Sequence, residues 1–212
     1  MGESLVHFIC KLPKEEDCIN PGKYSFIAKE AFKNSTIENV LLGDVEKVEQ
    51  SAYENCKNLK FVAWGKDMVA PAGKLKELVF VTEGTDFKIN TIDQEGKEVQ
   101  NELSEIKSND KEEISKPSVL IQNSAFKGCD KLETVIFPEN KCIVEKDAFA
   151  HCKSLRTVVF PGYNTEIYDD PFIGCKDLTI VCAKGESEEK NNNKLCAFAR
   201  ARSFRIIEID VK

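Results

Sequence analysis

The strongest constraint on this chain is a spacing. Between residues 121 and 182 one pattern is written three times, as IQNSAFKGCDKLETVIFP, VEKDAFAHCKSLRTVVFP and IYDDPFIGCKDLTIVC. Phe126, Phe149 and Phe172 are 23 residues apart, as are Cys129, Cys152 and Cys175, and Leu132, Leu155 and Leu178. A fixed period of that length describes stacked coils, each able to bury its apolar face only against its neighbours. In L-x-x-V-x-F, the last two apolar residues obey strand alternation and point inward, and the Leu enters from the turn before the strand. Ala-Phe supplies a small residue for close coil contact, then a ring to fill the interior.

The rest of the chain is placed relative to this block. Residues 1–25 are expected to form an N-terminal cap, with Leu5, Val6, Phe8 and Ile9 covering the first coil. Residues 26–81 read as irregular repeats 1 to 3. The first runs from Ile27 through Ala31-Phe32, Ile37 and Val40, and the second from Val48 through Tyr53, Cys56, Leu59 and Val62. Leu75–Phe80 is expected to be a third strand, reached by a shortcut turn over 66–74, although it lacks its own Ala-Phe segment. Residues 82–118 are an acidic insertion, with ten acidic residues and five lysines against a chain total of -6. Phe87, Ile89 and Ile92 before Glu95-Gly96 suggest a hairpin arm, and Val99, Leu103 and Ile106 have helical spacing. The insertion is either a tolerated surface excursion or a partner-binding loop. Residues 119–182 are the regular repeats, and 183–212 a C-terminal cap with Leu195, Phe198 and Ala199 on one helical face and a final strand from Phe204 to Ile209. The expected whole is one continuous solenoid domain. Arg200, Arg202 and Arg205 fit solvated charges complementing a helix C-terminus.

Charge and hydropathy narrow the partners. A pI near 5.2 gives no basic excess of the kind that neutralises phosphates, so nucleic acid is not expected as a partner. No stretch approaches the roughly 18 to 20 apolar residues of a membrane span. The N-terminus, MGESLVHFICKLPKEED, does not read as a signal peptide, which places the chain in the cytoplasm by default.

Nine cysteines cannot pair completely within one molecule. Cys56, Cys129, Cys152 and Cys175 share one repeat position, about 4.7 to 4.9 Å apart if the coils stack as strands. Their spacing from a core Leu suggests buried, inert thiols, with oxidation the alternative. His7 and His151 are the two histidines and there is no C-x-x-C pair, so neither a metal site nor a cofactor is expected. His151 beside Cys152 is the one candidate for a cysteine-dependent enzyme, but 151 is a variable repeat position, held by Gly128 and Gly174 elsewhere. No catalytic residue is assigned, and the chain is read as a non-enzyme.

The consensus I/V-x-x-x-A-F-x-x-C-x-x-L-x-x-V-x-F-P resembles the BspA-like class of leucine-rich repeats. The resemblance implies a right-handed, curved solenoid with a parallel β-sheet on one face and short strands or helical turns on the other. It also implies an adhesion or surface-recognition role at the cell surface. One departure from the family is informative: the outward strand position, often polar there, is Leu41, Ala63, Val79, Ile136 and Val159 here. Their neighbours two residues earlier include Phe61, Thr134 and Thr157. An apolar stripe of this kind marks a binding surface for a protein ligand, or reflects strand preference alone, or is core beneath a folded-over insertion. As a binding surface it comprises Leu41, Phe61, Ala63, Val79, Thr134, Ile136, Thr157 and Val159. A homodimer contact through the stripe is the alternative. Replacing Phe149 with Ala, in the middle of the regular block, is expected to cost on the order of 3 to 5 kcal/mol. A urea midpoint equal to that of the parent chain would refute this register.

Overall fold

The structure, a computed structural model, describes residues 6–11, 17–21, 24–64, 77–83, 86–92, 98–99, 118–185 and 191–209. In chain order its elements are β1 (Val6–Lys11), β2 (Phe26–Ile27), β3 (Asn39–Gly43), β4 (Lys47–Val48), β5 (Phe61–Trp64), β6 (Glu77–Glu83), β7 (Asp86–Ile92), β8 (Glu98–Val99), β9 (Val119–Ile121), β10 (Thr134–Ile136), β11 (Cys142–Val144), β12 (Thr157–Phe160), β13 (Glu166–Ile167), β14 (Thr179–Ala183), α1 (Asn193–Ala201) and β15 (Arg205–Ile209). They divide into two units, Met1–Asp17 with Asp67–Ser115, and Cys18–Lys66 with Lys116–Lys212.

The larger unit is a parallel-strand solenoid. Its first sheet has the order β15-β14-β12-β10-β5-β3 and its second the order β13-β11-β9-β4-β2. Each coil but the last therefore gives one short strand to each sheet, as the leucine-rich repeat reading expects. The inward strand residues Val40, Val62, Val135, Val158 and Ile180 are fully buried between the sheets.

The turns closing each coil continue the backbone ladder. The N–H groups of Phe32, Tyr53, Phe126 and Phe149 donate to the carbonyls of Ala52, Ala125, Ala148 and Pro171 in the next coil, at 2.7–2.8 Å. Asn34, Asn55, Gly128, His151 and Gly174 hold equivalent places and all have positive φ, a conformation that Gly and Asn adopt most readily. Gly128 and Gly174 meet a second demand. A Cβ on Gly128 would lie 2.6 Å from Asn55 Oδ1, and one on Gly174 would lie 2.6 Å from His151 Nδ1.

The repeated aromatics form a continuous stack. Phe32, Tyr53, Phe126, Phe149 and Phe172 follow one another with centroid separations of 5.0, 5.0, 5.1 and 5.5 Å and near-parallel planes. A shorter stack, Trp64–Phe137–Phe160, runs beside it at 5.0 and 4.5 Å. The repeat cysteines have a polar duty as well as an apolar one. Cys56, Cys129, Cys152 and Cys175 donate their S–H groups to the carbonyls of Phe32, Tyr53, Phe126 and Phe149 at 3.0, 3.2, 3.2 and 3.3 Å. Each thiol thus finds an acceptor in the preceding coil, on a carbonyl that also accepts a backbone N–H.

Register shows where the chain leaves the stack. Val48 pairs with Ile121 and Val62 with Val135, so residues 73 apart, such as the ion pair Lys57–Asp130, are next-coil neighbours. The excursion begins after Trp64 and the stack resumes at Val119, which makes it longer than the expected 82–118. Leu75–Phe80 is accordingly not a third solenoid strand. Without an Ala-Phe turn it has no ring to extend the aromatic stack, and β6 instead pairs antiparallel with β1 and β7. The smaller unit is this antiparallel sheet, in the order β1-β6-β7-β8. It takes up Val6, Phe8 and Ile9, which were expected to cap the first coil. At that end of the solenoid Ile19 forms a parallel bridge to Val40. A hairpin does occur at Phe87–Ile92, with β7 paired to β6 on one side and β8 on the other. Val99 is in β8 rather than in a helix; Leu5, Leu103, Ile106 and the turn at 66–74 lie outside the described residues.

At the other end α1 occupies the second-sheet side of the coil completed by β15, packing on β13 and β15 with Leu195, Cys196 and Ala199 buried. Buried Asn192 joins it to the last coils: Nδ2 donates to the Gly162 and Ala183 carbonyls at 2.9 and 3.1 Å, and Oδ1 accepts from Thr165 N–H at 3.1 Å. Arg202, at the end of α1, pairs with Asp170.

Two tests follow from this packing. Tyr53 sits in a ring position held by Phe in neighbouring coils, and its buried hydroxyl has no hydrogen-bond partner among the described residues. Tyr53→Phe is therefore expected to leave stability unchanged or raise it by about 1 kcal/mol in urea denaturation; a loss of that size would show that the hydroxyl has a partner. Burial pushes the Cys142 and Cys175 thiols up to about 12, and Cys56 and Cys129 are raised first by the next repeat cysteine and then by burial. In the native chain at pH 8, Cys18 is expected to react with a thiol reagent well before the repeat cysteines and Cys142. Fast labelling of Cys152 in folded protein would contradict its place in the core.

Candidate functional site

The predicted strand-face residues are brought together by parallel register, with one exception. Leu41, Ala63, Ile136 and Val159 are consecutive partners across β3, β5, β10 and β12, and the row continues through Val181 and Ile207. Phe61, Thr134 and Thr157 form the row beside it, between Asn39 and Thr179. Val181 was legible in the third regular repeat, where it holds the Val159 position; Ile207 follows no period. Val79 is the exception, because it pairs with Ile9 and Asn90 in the antiparallel sheet.

The stripe is not an open patch. Leu41, Ala63, Ile136 and Val159 are 2%, 0%, 3% and 5% exposed, and Phe61, Thr134 and Thr157 are also buried. Leaving such a row in water would forfeit about 25 cal/mol for each Å² of apolar surface, so its burial is what the hydrophobic effect favours. It lies outside the continuous core cluster between the sheets.

An accessible row lies on the second sheet. Phe26, Lys47, Leu120, Ile143 and Glu166 are consecutive register partners across β2, β4, β9, β11 and β13. They alternate with the buried Ile27, Val48, Ile121 and Val144, so they point away from the core. Phe26 is 54% exposed, Leu120 and Ile143 are half-buried, and exposed Tyr24 and Tyr168 stand near the two ends of the row. Polar pairs line it. Lys47 bonds Glu49 at 2.9 Å, Lys141 bonds Glu166 at 2.7 Å, and Tyr168 donates its hydroxyl to Glu166 at 2.8 Å. Lys47 holds the Glu49 carboxyl below the usual range, Lys141 does the same for Glu166, and the Glu166 carboxylate raises the Tyr168 phenol. The sequence reading missed this face. Its signal was the residue before each inward-pointing Ile or Val in KYSFI, SVLI and KCIV.

The Cys-His candidate has a different geometry from a catalytic pair. Cys152 is buried with its S–H on the Phe126 carbonyl, whereas His151 is exposed and stands over Gly174. Among the described residues no hydrogen bond joins the two, and no group of three or more His, Cys, Asp or Glu is placed to hold a metal ion. No helix among the described residues is long and apolar enough to cross a membrane.

Comparison with known proteins agrees with the repeat geometry. The family described as BspA type leucine rich repeat region matches residues 14–68 and 98–210, in six copies. No curated protein matches the chain. Among solved structures, a leucine-rich cell surface protein from Faecalibacterium prausnitzii A2-165 is similar at 17% identity and a TM-score of 0.27, over 89% of this chain and 52% of that one. The chain thus spans about half the length of that neighbour. With a 23-residue period, two parallel sheets of short strands, a stacked ring in each coil and a family match over most of its length, this chain belongs to the BspA-type leucine-rich repeat family.

Proposed function

We propose that the solenoid is a non-catalytic recognition module that binds a protein ligand through the outer face of its second sheet. The observation that carries this reading is the row Phe26–Lys47–Leu120–Ile143–Glu166, aligned by parallel register and flanked by exposed Tyr24 and Tyr168. Accessible aromatic and aliphatic side chains bordered by paired charges match the make-up of protein interfaces, where rings anchor and a polar rim surrounds them. Backbone ladders and stacked rings hold these side chains in place before a ligand arrives, which lowers the ordering cost of binding. Membership of the repeat family supports the adhesion or surface-recognition form of this role. The acidic excess of residues 82–118 supplies a field that steers a partner carrying a basic patch.

A pull-down from native extract with the parent chain and with Phe26→Asp/Ile143→Lys tests the assignment. Both chains should show the same circular dichroism and melting temperature, and the double variant should lose a protein that the parent retains. Equal capture by both would remove this face as the site. Sedimentation run in parallel separates the self-associating alternative, which predicts a parent dimer and a variant monomer with no other protein retained.

A further inference from the structure

Most of the buried thiols donate to backbone carbonyls, but two face each other where the C-terminal cap meets the stack. Cys182 lies on β14 and Cys196 on α1, and their sulfurs are 3.7 Å apart. Both are buried, Cys182 completely and Cys196 to 3% exposure. Glu208 on β15 is the register partner of Cys182, and its Oε1 is 3.9 Å from Cys196 Sγ. Three elements thus converge on two thiols and one carboxylate. A disulfide needs a sulfur separation of about 2.05 Å, which rotation of the two side chains and a small shift of a short terminal helix can supply. Neighbouring repeat cysteines also lie side by side, but forming a bond between them would withdraw their S–H groups from the carbonyls of the preceding coil.

We propose that Cys182 and Cys196 are an oxidisable pair that closes into a disulfide by exchange with a small-molecule disulfide such as oxidised glutathione, stapling α1 to β14. The sulfur of Cys196, the less deeply buried of the two, attacks one glutathione sulfur. The S–S bond of glutathione breaks, the first glutathione leaves, and Glu208 is placed to take the Cys196 proton and pass it to that departing thiolate. Cys182 then attacks the Cys196 sulfur of the mixed disulfide, and the second glutathione leaves as a thiol carrying the Cys182 proton. Two protein thiols are oxidised, one glutathione disulfide is reduced to two thiols, and no other reactant is needed. Burial and the neighbouring carboxylate disfavour the thiolates, so closure is slow and passes through brief openings of the cap. Once closed, the same burial shields the bond from reduction. The staple forms in an oxidising compartment and stays open where glutathione is mainly reduced.

The test equilibrates the full chain in mixtures of oxidised and reduced glutathione, quenches with acid, alkylates, and maps the peptides by mass spectrometry. The expected result is a linked peptide pair containing Cys182 and Cys196, with both of these thiols lost and any glutathione adduct on accessible Cys18 counted separately. The melting temperature should rise by roughly 5 °C or more, and dithiothreitol should reverse both changes. Cys182→Ser and Cys196→Ser should each abolish the linked peptide and the shift. Because mapping is done on the unmodified sequence, the result does not depend on the variants folding. Disulfides among Cys56, Cys129, Cys152 and Cys175, a stable glutathione adduct on Cys196 that never transfers to Cys182, or Cys182 and Cys196 both remaining free thiols would each overturn the proposal.

Discussion

Stacking at strand spacing is the constraint on which the solenoid depends. Parallel neighbours in a sheet lie about 4.8 Å apart, and the rings from Phe32 to Phe172 follow at 5.0 to 5.5 Å. Any residue placed once per coil must therefore meet its own copy. A ring is a good answer to that demand, because it fills the interior between the sheets and each burial stabilises by about 1.5 to 3 kcal/mol. The other repeat positions follow from it. Ala before the ring lets the turns approach, the left-handed residue two positions after the ring closes the coil, and Cys three positions after gives its S–H a buried carbonyl of the preceding coil, beside the backbone N–H that carbonyl already accepts.

The same constraint explains how the chain tolerates a long excursion. What the stack requires is that register resume, and β10 pairs with β5 as it does with β12. A coil completed by residues on both sides of the break is as well packed as an uninterrupted one, and closure entropy grows slowly with length. At the C-terminal end the repeat stops, and ordinary side-chain chemistry takes over. Asn192 satisfies two carbonyls and one N–H in a buried site, and α1 covers the last coil with Leu195 and Ala199.

How far each part was legible follows from how local its cause is. Phe126, Phe149 and Phe172 announce the stack because a periodic packing demand leaves a periodic residue. Tyr53 and Phe32 could be added despite an irregular spacing, since ring and strand retain their order. Leu75–Phe80 misled because its apolar alternation suits a strand in either sheet type, and its partners β1 and β7 are remote or unmarked by any period. The accessible second-sheet row was missed for a related reason. Phe26, Leu120 and Ile143 hold equivalent positions, but nothing in an isolated SFI, VLI or CIV triplet says which sheet will be left open to water.

The sequence by itself determined the coil: its length, its inward residues, its family and the order in which coils stack, because each depends on contacts between copies of one short pattern. Only the tertiary structure decided which outward face is buried and which is accessible, where the excursion begins, and that Cys182 meets Cys196. Those outcomes depend on residues that share no period, so their encounter is a property of the folded whole.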